Sequence, residues 1–368
     1  MFTRPELMQL RRQLKSTPTL SVYLSEDTDD PAQRGNGRRA LAHRFAHLRD
    51  AMRDAAHADR EALDRAIAHA EQQVRAIPVT ACFKGWVAFV SEMGVQHSAM
   101  LPVPVPTEAV WGDGLWLSPY IRGLDYQCSA LVVMTDSRMA TLWRYRDGVF
   151  EVLATLEADV PALSASHLGA PPQQGFHPGT RGRTAADANA RVRRVKAARL
   201  ATEVADQLRM AALPDELILV GGIPAMAHAV ASQLLEHEHA QAPVLAGLDI
   251  HAGLPEIATR VEVALDTWRL ERRRALWHEL TESGIVGAHA AFGVTATEAA
   301  LRLGGVSRLL ITEEFERRDP AATEAVVQLA CEGDAQITYV GGDTAAHLQK
   351  RGAGIAARLR FPIPQPVA

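Results

Sequence analysis

The chain has 368 residues, of which 47% are hydrophobic and 22% charged, with a net charge of -4 and an isoelectric point near 6.4. The length predicts two or three domains, and the composition excludes wholesale disorder. The slightly acidic balance excludes a protein coated in positive charge, so any contact with nucleic acid must be local.

Membrane segments and metal sites are not indicated by the sequence. No apolar run approaches the roughly 18 to 20 residues of a membrane helix, and the first residues lack the apolar stretch of a secretion signal. We therefore predict a cytoplasmic location without membrane contact. Cys82, Cys128 and Cys331 are far apart and lack the spacing of zinc ligands, which predicts reduced core residues and no metal. No cofactor is predicted.

The first predicted domain, residues 1–127, combines strands and helices. A strand-like run covers 19–26, and helical patterns with apolar residues at steps of three and four cover 38–56 and 60–76. A second strand candidate covers 82–92. Prolines in the stretch that follows exclude helix and indicate an extended edge and a turn. The segment is predicted to be an α+β domain.

The second predicted domain, residues 128–252, opens with a sheet. Three short apolar runs between 129 and 155 are separated by polar turns, which predicts a β-meander. Beyond a basic loop and helix, 216–222 has the pattern of a buried strand, followed by a helix over 224–236 and a strand near 243–249. This alternation is typical of a layered α/β domain.

The third predicted domain, residues 253–368, opens with a long helix over 253–283. Shorter helices and strands alternate after it, which predicts a second small α/β domain. The predicted order is helix 295–303, strand 308–314, helix 321–331, strand 335–342 and a last strand over 354–361.

A strongly basic segment runs from Gln173 to Arg199. Three glycines and a proline exclude regular structure before Thr184 and let the backbone approach a partner closely. Thr184 followed by Asp187 resembles a capping box. We therefore predict that the helix begins at Ala185 and leaves unpaired N–H groups facing the loop.

Basic residues dominate this segment, with seven between 181 and 199 against one acid. They point around most of the helix circumference, so we expect the first turns to project from the domain. Arginine forks, backbone N–H groups and a helix N-terminus form a phosphate-binding surface, although a charged helix is usually only solvated. The residues predicted to contact RNA are Gly175, His177, Gly179, Arg181, Arg183, Arg191, Arg193, Arg194, Lys196 and Arg199.

The order of these features resembles a known family. A basic loop after a β-meander, with a long helix behind it, is similar to the middle domain of archaeo-eukaryotic peptide chain release factors and Pelota. The runs FGVTATEAALRLGGVSRLLITEEF, AQITYVGG and RGAGIAARLRF resemble the third domain of that family. SVYLSE and LSPYIRGLD are similar to its bacterial branch, the bacterial archaeo-eukaryotic release factor-like proteins. The resemblance covers nearly the whole chain.

The resemblance implies an RNase H-like middle domain, a small α/β sandwich as third domain, and a function on the ribosome. In the family, a Gly-Gly-Gln motif in the middle-domain loop positions water to release the peptide from tRNA. This sequence contains no Gly-Gly-Gln, and the matching loop reads QQGFHPGTRGRT. We predict a ribosome-associated factor with a rescue, hibernation or termination-like role. Its partners would be a translational GTPase and the A-site rRNA of the large ribosomal subunit.

Two alternatives from other functional classes stay open. The first is a peptidyl-tRNA hydrolase in which Gln174 or His177 replaces the missing glutamine. The second is an RNA-binding regulatory adaptor that uses the same fold without the ribosome.

Three other patterns are weaker. The EHEH run over 236–239 lacks a third metal ligand and is interpreted as a solvated helix end. The VGG runs at 220–222 and 340–342 each follow a strand and would suit a phosphate, but strand ends also need glycine for turns. Trp277, in the basic run 271–279, is interpreted as the buried side chain of an exposed helix rather than as a base-stacking group.

Overall fold

A computed structural model describes most of the chain, and it divides that chain into two compact units. One unit is formed by Met1–Gln127 with Arg272–Ala368, and the other by Cys128–Glu271. The predicted α/β fold class is confirmed, and the structure has one sheet in each of three successive segments. The predicted domain boundaries stay predictions. The residues described are 1–26, 35–78, 81, 83–146, 148–158, 185–213, 216–235, 243–245, 248, 251–286 and 289–363, with the backbone alone for 185–190, 235 and 283–286.

Residues 1–127 combine four helices with one antiparallel sheet in their described part. In chain order the elements are α1 Arg4–Leu14, β1 Pro18–Glu26, α2 Asn36–Ala51, α3 His57–Ala76, β2 Phe83–Ser91, β3 Gly94–Leu101, β4 Glu108–Asp113 and α4 Ser118–Tyr126. The strand order is β3-β2-β1-β4, so β1 is central and most of its side chains are buried. Leu41 and Phe45 of α2 and Leu63 and Ile67 of α3 pack into one apolar cluster with β1 and β2.

The sequence patterns do not predict three elements of this segment, namely α1, β3 and α4. β3 is an edge strand, and its Met100 is 51% exposed. Its sequence lacks the regular alternation of apolar and polar residues that indicates a strand. α4 has a proline in its first turn, which is a signal for the start of a helix. The helix has only nine residues, so few positions are available to show the helical period of apolar residues. The helix predicted over 38–56 ends earlier than expected, at Ala51.

Residues 128–271 form a layered α/β unit. In chain order its elements are β5 Ser129–Thr135, β6 Met139–Arg146, β7 Val149–Glu157, α5 Ala185–Ala211, β8 Leu217–Gly222, α6 Pro224–Leu235 and the first part of α7 Leu254–Val286. The predicted meander is confirmed, and β8 adds in parallel to β5, which gives the order β7-β6-β5-β8. Leu131 and Val133 pack against α5 and α6, whereas the alternate residues Ala130 and Val132 pack against α7. Helices therefore cover both faces of the sheet.

The strand predicted near 243–249 is reduced, among its described residues, to a single parallel bridge. Val244 bridges Val220, and the neighbouring Pro243 and Leu245 exchange backbone hydrogen bonds with the same residue. Pro243 has no N–H to donate, which limits further pairing.

Residues 272–363 contain the third sheet. In chain order its elements after α7 are β9 Ala290–Phe292, α8 Val294–Arg302, β10 Val306–Thr312, α9 Glu313–Arg318, α10 Pro320–Glu332, β11 Gln336–Val340, α11 Gly342–Gly352 and β12 Ile355–Leu359. The strand order is β11-β10-β12-β9, with β10 and β11 parallel. The helices and strands predicted here are present within a few residues of their expected bounds.

The two stretches of the first unit share one of their hydrophobic clusters. Leu7 and Tyr120 from the N-terminal stretch belong to the same buried cluster as Val306, Phe315 and Tyr339 from the C-terminal stretch. Hydrogen bonds also connect the two stretches at the start of α4. The backbone N–H groups of Leu117 and Ser118 donate to the buried carboxylate of Glu324, each at 2.8 Å. The stretches 1–127 and 272–363 are therefore joined by a common cluster, while each also has an apolar cluster of its own.

Candidate nucleic-acid interface

The helix predicted to carry the RNA contacts is α5, and it begins at Ala185 as predicted. Its first buried side chain in the described part is Leu200. At 1.5 Å per residue, about 22 Å of helix lies between Ala185 and Leu200. From Leu200 to Leu208, buried side chains attach the helix to the sheet. The basic residues from 191 to 199 therefore lie on the half of α5 that has no buried side chain in its described part.

Five predicted contact residues lie on this half. Arg191, Arg193, Arg194 and Arg199 are exposed, and Lys196 is half-buried. Among the residues that the structure describes, the four arginines make no hydrogen bond or ion pair with another side chain. Their guanidinium groups are thus available to an external acceptor.

The exposed arginines do not share one face of the helix. At 100° per residue, Arg193 and Arg194 point away from Arg199, and Arg191 lies between Arg194 and Arg199. Val192 and Val195 are 50% and 46% exposed, so apolar positions of this stretch also face solvent. Between Arg191 and Val195 every side chain is therefore exposed, whereas Lys196 and Ala197 are half-buried.

The far end of α5 is fixed by a half-buried arginine of β6. Arg144 donates to the carbonyl oxygen of Ala211 at 2.6 Å and to both carboxylate oxygens of Glu216 at 2.9 and 3.2 Å. The Glu216 side chain is completely buried. A positive group at a helix C-terminus also interacts favourably with the helix dipole. One end of α5 is therefore held while the other is presented to solvent.

The remaining predicted site residues lie outside the described residues. These are the RNA-contact candidates of the loop and the two catalytic candidates of the hydrolase alternative, namely Gln174, Gly175, His177, Gly179, Arg181 and Arg183. Thr184 of the predicted capping box, Cys82 and the 236–239 run also lie outside them.

The other candidate motifs have structural roles where they are described. Trp277 is half-buried beside Phe292 and His347, with ring centroids 6.4 and 6.1 Å away. Gly222 has a φ of +104°, and a Cβ there would lie 2.1 Å from the carbonyl oxygen of Thr135. That glycine is therefore required by the packing of β8 on β5.

The described residues contain neither a cluster of metal ligands nor a membrane-spanning helix. No group of three or more histidine, cysteine, aspartate or glutamate side chains there is arranged to hold a metal ion. No described helix is long and apolar enough to cross a membrane. Cys128 is half-buried and Cys331 is buried, both as free thiols.

Three carboxyl and imidazole groups of the first unit have clearly shifted pKa values. Burial, with the carboxylates of Glu316 and Glu324, raises the pKa of Glu108 to about 7. Burial raises the pKa of Asp125 to about 6 and lowers the pKa of His97 to about 4. Burial is the largest cause of the shift in each of these three groups.

A cleft of about 400 Å³ in the first unit lies beside α1, β4 and α10. Its basic wall is already paired, because Arg11 donates to Gln328 at 2.6 Å and to Glu332 at 2.9 Å. Gln328 in turn donates to the carbonyl oxygen of Leu115 at 2.7 Å. These internal bonds occupy Arg11 and Gln328, whereas the Lys15 side chain of the same cleft is 73% exposed and lies 3.9 Å from Glu332.

Sequence reasoning missed a second concentration of arginine, on α2. A count of charged residues in each helix reveals this concentration, whereas the net charge of the whole chain does not. α2 contains four arginines and two histidines but one acid. The adjacent α3 contains three arginines and four acids.

Comparisons with known proteins give fold-level similarities only. No protein-family model and no curated protein matches the chain. Archaeoglobus fulgidus Pelota is 16% identical over 76% of this chain and 80% of that chain, with a TM-score of 0.38. The model of ribosome-bound archaeal Pelota and ABCE1 is 12% identical over 98% and 95%, with a TM-score of 0.45. S. cerevisiae Dom34, described as a translation termination-like factor, is 11% identical over 76% and 82%, with a TM-score of 0.44. With TM-scores below 0.5, these similarities leave the family resemblance of the sequence a prediction.

Proposed function

We propose that this protein is a ribosome-associated factor that binds A-site RNA of the large ribosomal subunit through the N-terminal half of α5 and the loop before it. Its role would be rescue, hibernation or a termination-like step, with a translational GTPase as a further partner. The observation that carries the proposal is a set of exposed arginines, which have no partner among the described residues, on a helix whose other half is anchored in the core.

The charge of α5 favours phosphate as the ligand. From Arg191 to Arg199 the helix has five basic residues and no acid, in a chain whose net charge is -4. Each phosphate that an arginine neutralises releases condensed counterions, so binding gains free energy that falls as salt rises. Arginine also binds phosphate oxygens in a bidentate geometry.

The sequence favours binding over hydrolysis. The family that the sequence resembles uses Gly-Gly-Gln to release the peptide, and this tripeptide is absent from the chain. We therefore propose occupation of the A site without efficient release of peptide from tRNA.

Co-sedimentation of the full chain with ribosomes tests the proposal. The variant R191E/R193E/R194E should lose binding, and the wild-type protein should dissociate as salt rises from about 50 to 200 mM. The matched control is R65E/R75E/R302E, because those arginines are exposed, lie on helices and already pair with a glutamate one turn away. The control should bind as the wild type does. Equal binding by the α5 variant, or equal loss in the control, would contradict the proposal.

A further inference from the structure

We infer that the cleft beside α1, β4 and α10 binds a free α-amino acid. Lys15 pairs with the carboxylate of this ligand, Asp113 pairs with its ammonium group, and Trp116 contacts its side chain. The cleft has a volume of about 400 Å³, and all the residues that line it belong to the first unit. Small-molecule sites usually have volumes of about 300–1,000 Å³. Because α5 lies in the second unit, the inference is independent of the role proposed for that helix.

The floor of the cleft is a part of the first sheet that has small side chains. Thr19 and Ser21 of β1 pair with Gly112 and Val110 of β4, and all four positions line the cleft. Directly paired positions of antiparallel strands lie on the same face of a sheet. A Cβ at Gly112 would meet no other atom within 4 Å. The absence of a side chain at this position therefore helps to keep the cleft open.

Hydrogen bonds within the protein fix the walls of the cleft. Arg11 of α1 donates to Gln328 and Glu332 of α10, so the two helices are connected directly. Gln328 also donates to the carbonyl oxygen of Leu115, which connects α10 to the segment after β4. The elements that surround the cleft are therefore held in place without a ligand. Such preorganisation lowers the entropic cost of binding.

Two groups of opposite charge on the rim of the cleft lack a close partner. The ammonium group of Lys15 lies 3.9 Å from the carboxylate of Glu332, which is outside hydrogen-bond range. Asp113 is exposed and makes no hydrogen bond or ion pair with another described residue. A Cβ at Gly114 would lie 3.6 Å from the carbonyl oxygen of Lys15. Lys15 and Asp113 therefore lie on neighbouring segments of the rim.

Trp116 adds an apolar surface to the cleft, and its position is fixed by β1. Its backbone N–H donates to Oγ of Ser21 at 3.0 Å, and its carbonyl oxygen accepts from the hydroxyl of Tyr23 at 2.6 Å. Trp116 is half-buried, and its indole N–H has no acceptor among the described residues. The indole can therefore contact an apolar group and also donate a hydrogen bond.

These groups match an amino acid better than a simple anion or a simple cation. An anion would be attracted by Lys15 but repelled by the carboxylates of Asp113 and Glu332, and a cation would meet the reverse. A zwitterion pairs with both charges at once through charge-assisted hydrogen bonds. In an α-amino acid one carbon separates the carboxylate from the ammonium group, so the ligand can reach both neighbouring segments of the rim. Its side chain then extends over the apolar surface of Trp116.

Thermal unfolding of the full chain with each of the common L-amino acids in turn tests this inference. At about 10 mM, at least one should raise the unfolding midpoint by about 2–4 °C, as expected for a dissociation constant of about 1 mM. Isothermal titration calorimetry then compares this amino acid with its amide and with its Nα-acetyl derivative. Each derivative lacks one charge, so the wild type should bind it at least about tenfold more weakly.

Variants of the cleft assign the charges and the floor. Lys15→Gln should bind the amino acid and its amide equally, and Asp113→Asn should bind the amino acid and its Nα-acetyl derivative equally. The matched controls R12Q and D54N remove the same charges from exposed positions outside the cleft and should keep the wild-type affinities. Gly112→Leu fills the floor and should abolish binding, while its unfolding midpoint without ligand stays that of the wild type.

Loss of binding in Gly112→Leu, together with the two changes of specificity, supports the site. The inference is overturned if no amino acid raises the midpoint of the wild type, or if Gly112→Leu binds as the wild type does. Equal losses in Lys15→Gln and R12Q would show an effect of net charge and would also overturn it. Ribosome binding enters none of these measurements, so their failure leaves the role proposed for α5 unchanged.

Discussion

Arg122 and Glu316 form a buried ion pair in which Nη1 of the arginine donates to Oε2 of the glutamate at 2.6 Å. The two side chains are only 7% and 6% exposed. Arg122 lies on α4 and Glu316 on α9, so the pair joins the N-terminal and C-terminal stretches of the first unit. Arg122 also donates to the carbonyl oxygen of Pro104 at 2.6 Å.

Removing one partner of this pair should be costly. Arg122→Ala leaves the Glu316 carboxylate buried without its counter-charge, which we expect to lower the free energy of unfolding by about 3–5 kcal/mol. The double variant R122M/E316M replaces both charges with apolar groups of similar length and should lie much closer to the wild type. Urea unfolding of the full chain measures both. A cost below about 1 kcal/mol for Arg122→Ala would contradict the burial of the pair.

Glu108 predicts a pH dependence of stability. Burial and the carboxylates of Glu316 and Glu324 raise its pKa from 4.5 to about 7. Between these two values the folded protein binds more protons than the unfolded one, so this group lowers stability as pH rises from about 4.5 to 7. Glu108→Gln removes the effect and should stabilise the protein at pH 8 by on the order of 2 kcal/mol. Thermal midpoints at pH 5 and pH 8 check this, and an equal gain at both would exclude proton linkage as its cause.

Periodic sequence signals predicted the elements that hold α5. The apolar run of β5 and the pattern of 216–222 are buried almost without interruption, as continuous apolar runs indicate. The start of α5 at Ala185 was also predictable, because glycine and proline exclude helix before it. In these segments the local sequence preference and the burial in the fold agree, so the sequence alone is sufficient to predict the elements.

The polar contacts between the N-terminal and C-terminal stretches of the first unit, made by Arg122, Glu316 and Glu324, were not predictable in the same way. Arg122 and Glu316 are 194 positions apart, and no local pattern pairs charges over such a distance. Glu324 lies within a correctly predicted helix, but a glutamate in a helical pattern is normally assigned to the solvent side. Its burial depends on backbone N–H groups from Leu117 and Ser118, which only the tertiary fold brings near.

Asp125 should protect the edge of the third sheet. Its carboxylate accepts a hydrogen bond from the backbone N–H of Tyr339 at 2.8 Å, and Tyr339 lies on the edge strand β11. Asp125→Ala leaves this buried N–H without an acceptor, at a cost of about 1–3 kcal/mol. Asp125→Asn keeps an oxygen in place and should cost less. Amide hydrogen exchange at Tyr339 should accelerate in the alanine variant, and unchanged protection there would contradict the assignment.

Arg144 should anchor the C-terminal end of α5. Arg144→Ala removes the donor to Ala211 and leaves the fully buried Glu216 carboxylate unpaired. We expect a loss of about 3–5 kcal/mol, as for other broken buried pairs. Arg144→Lys keeps the charge but not the bidentate geometry and should recover part of it. Hydrogen exchange should increase over the last turns of α5. An increase confined to the 191–199 stretch would place the anchor elsewhere.

The two halves of α5 should respond differently to the same substitution. Val195 is 46% exposed, whereas Val204, nine positions later on the same helix, is completely buried. Val204→Ala leaves a cavity in the apolar cluster and should cost about 1–3 kcal/mol. Val195→Ala removes no core contact and exchanges a β-branched residue for the best helix former, so stability should stay within about 0.5 kcal/mol or rise slightly. Urea unfolding distinguishes the two. A comparable loss from Val195→Ala would mean that the N-terminal half of α5 is packed against the protein, and the RNA-binding role proposed for its arginines would then have to be abandoned.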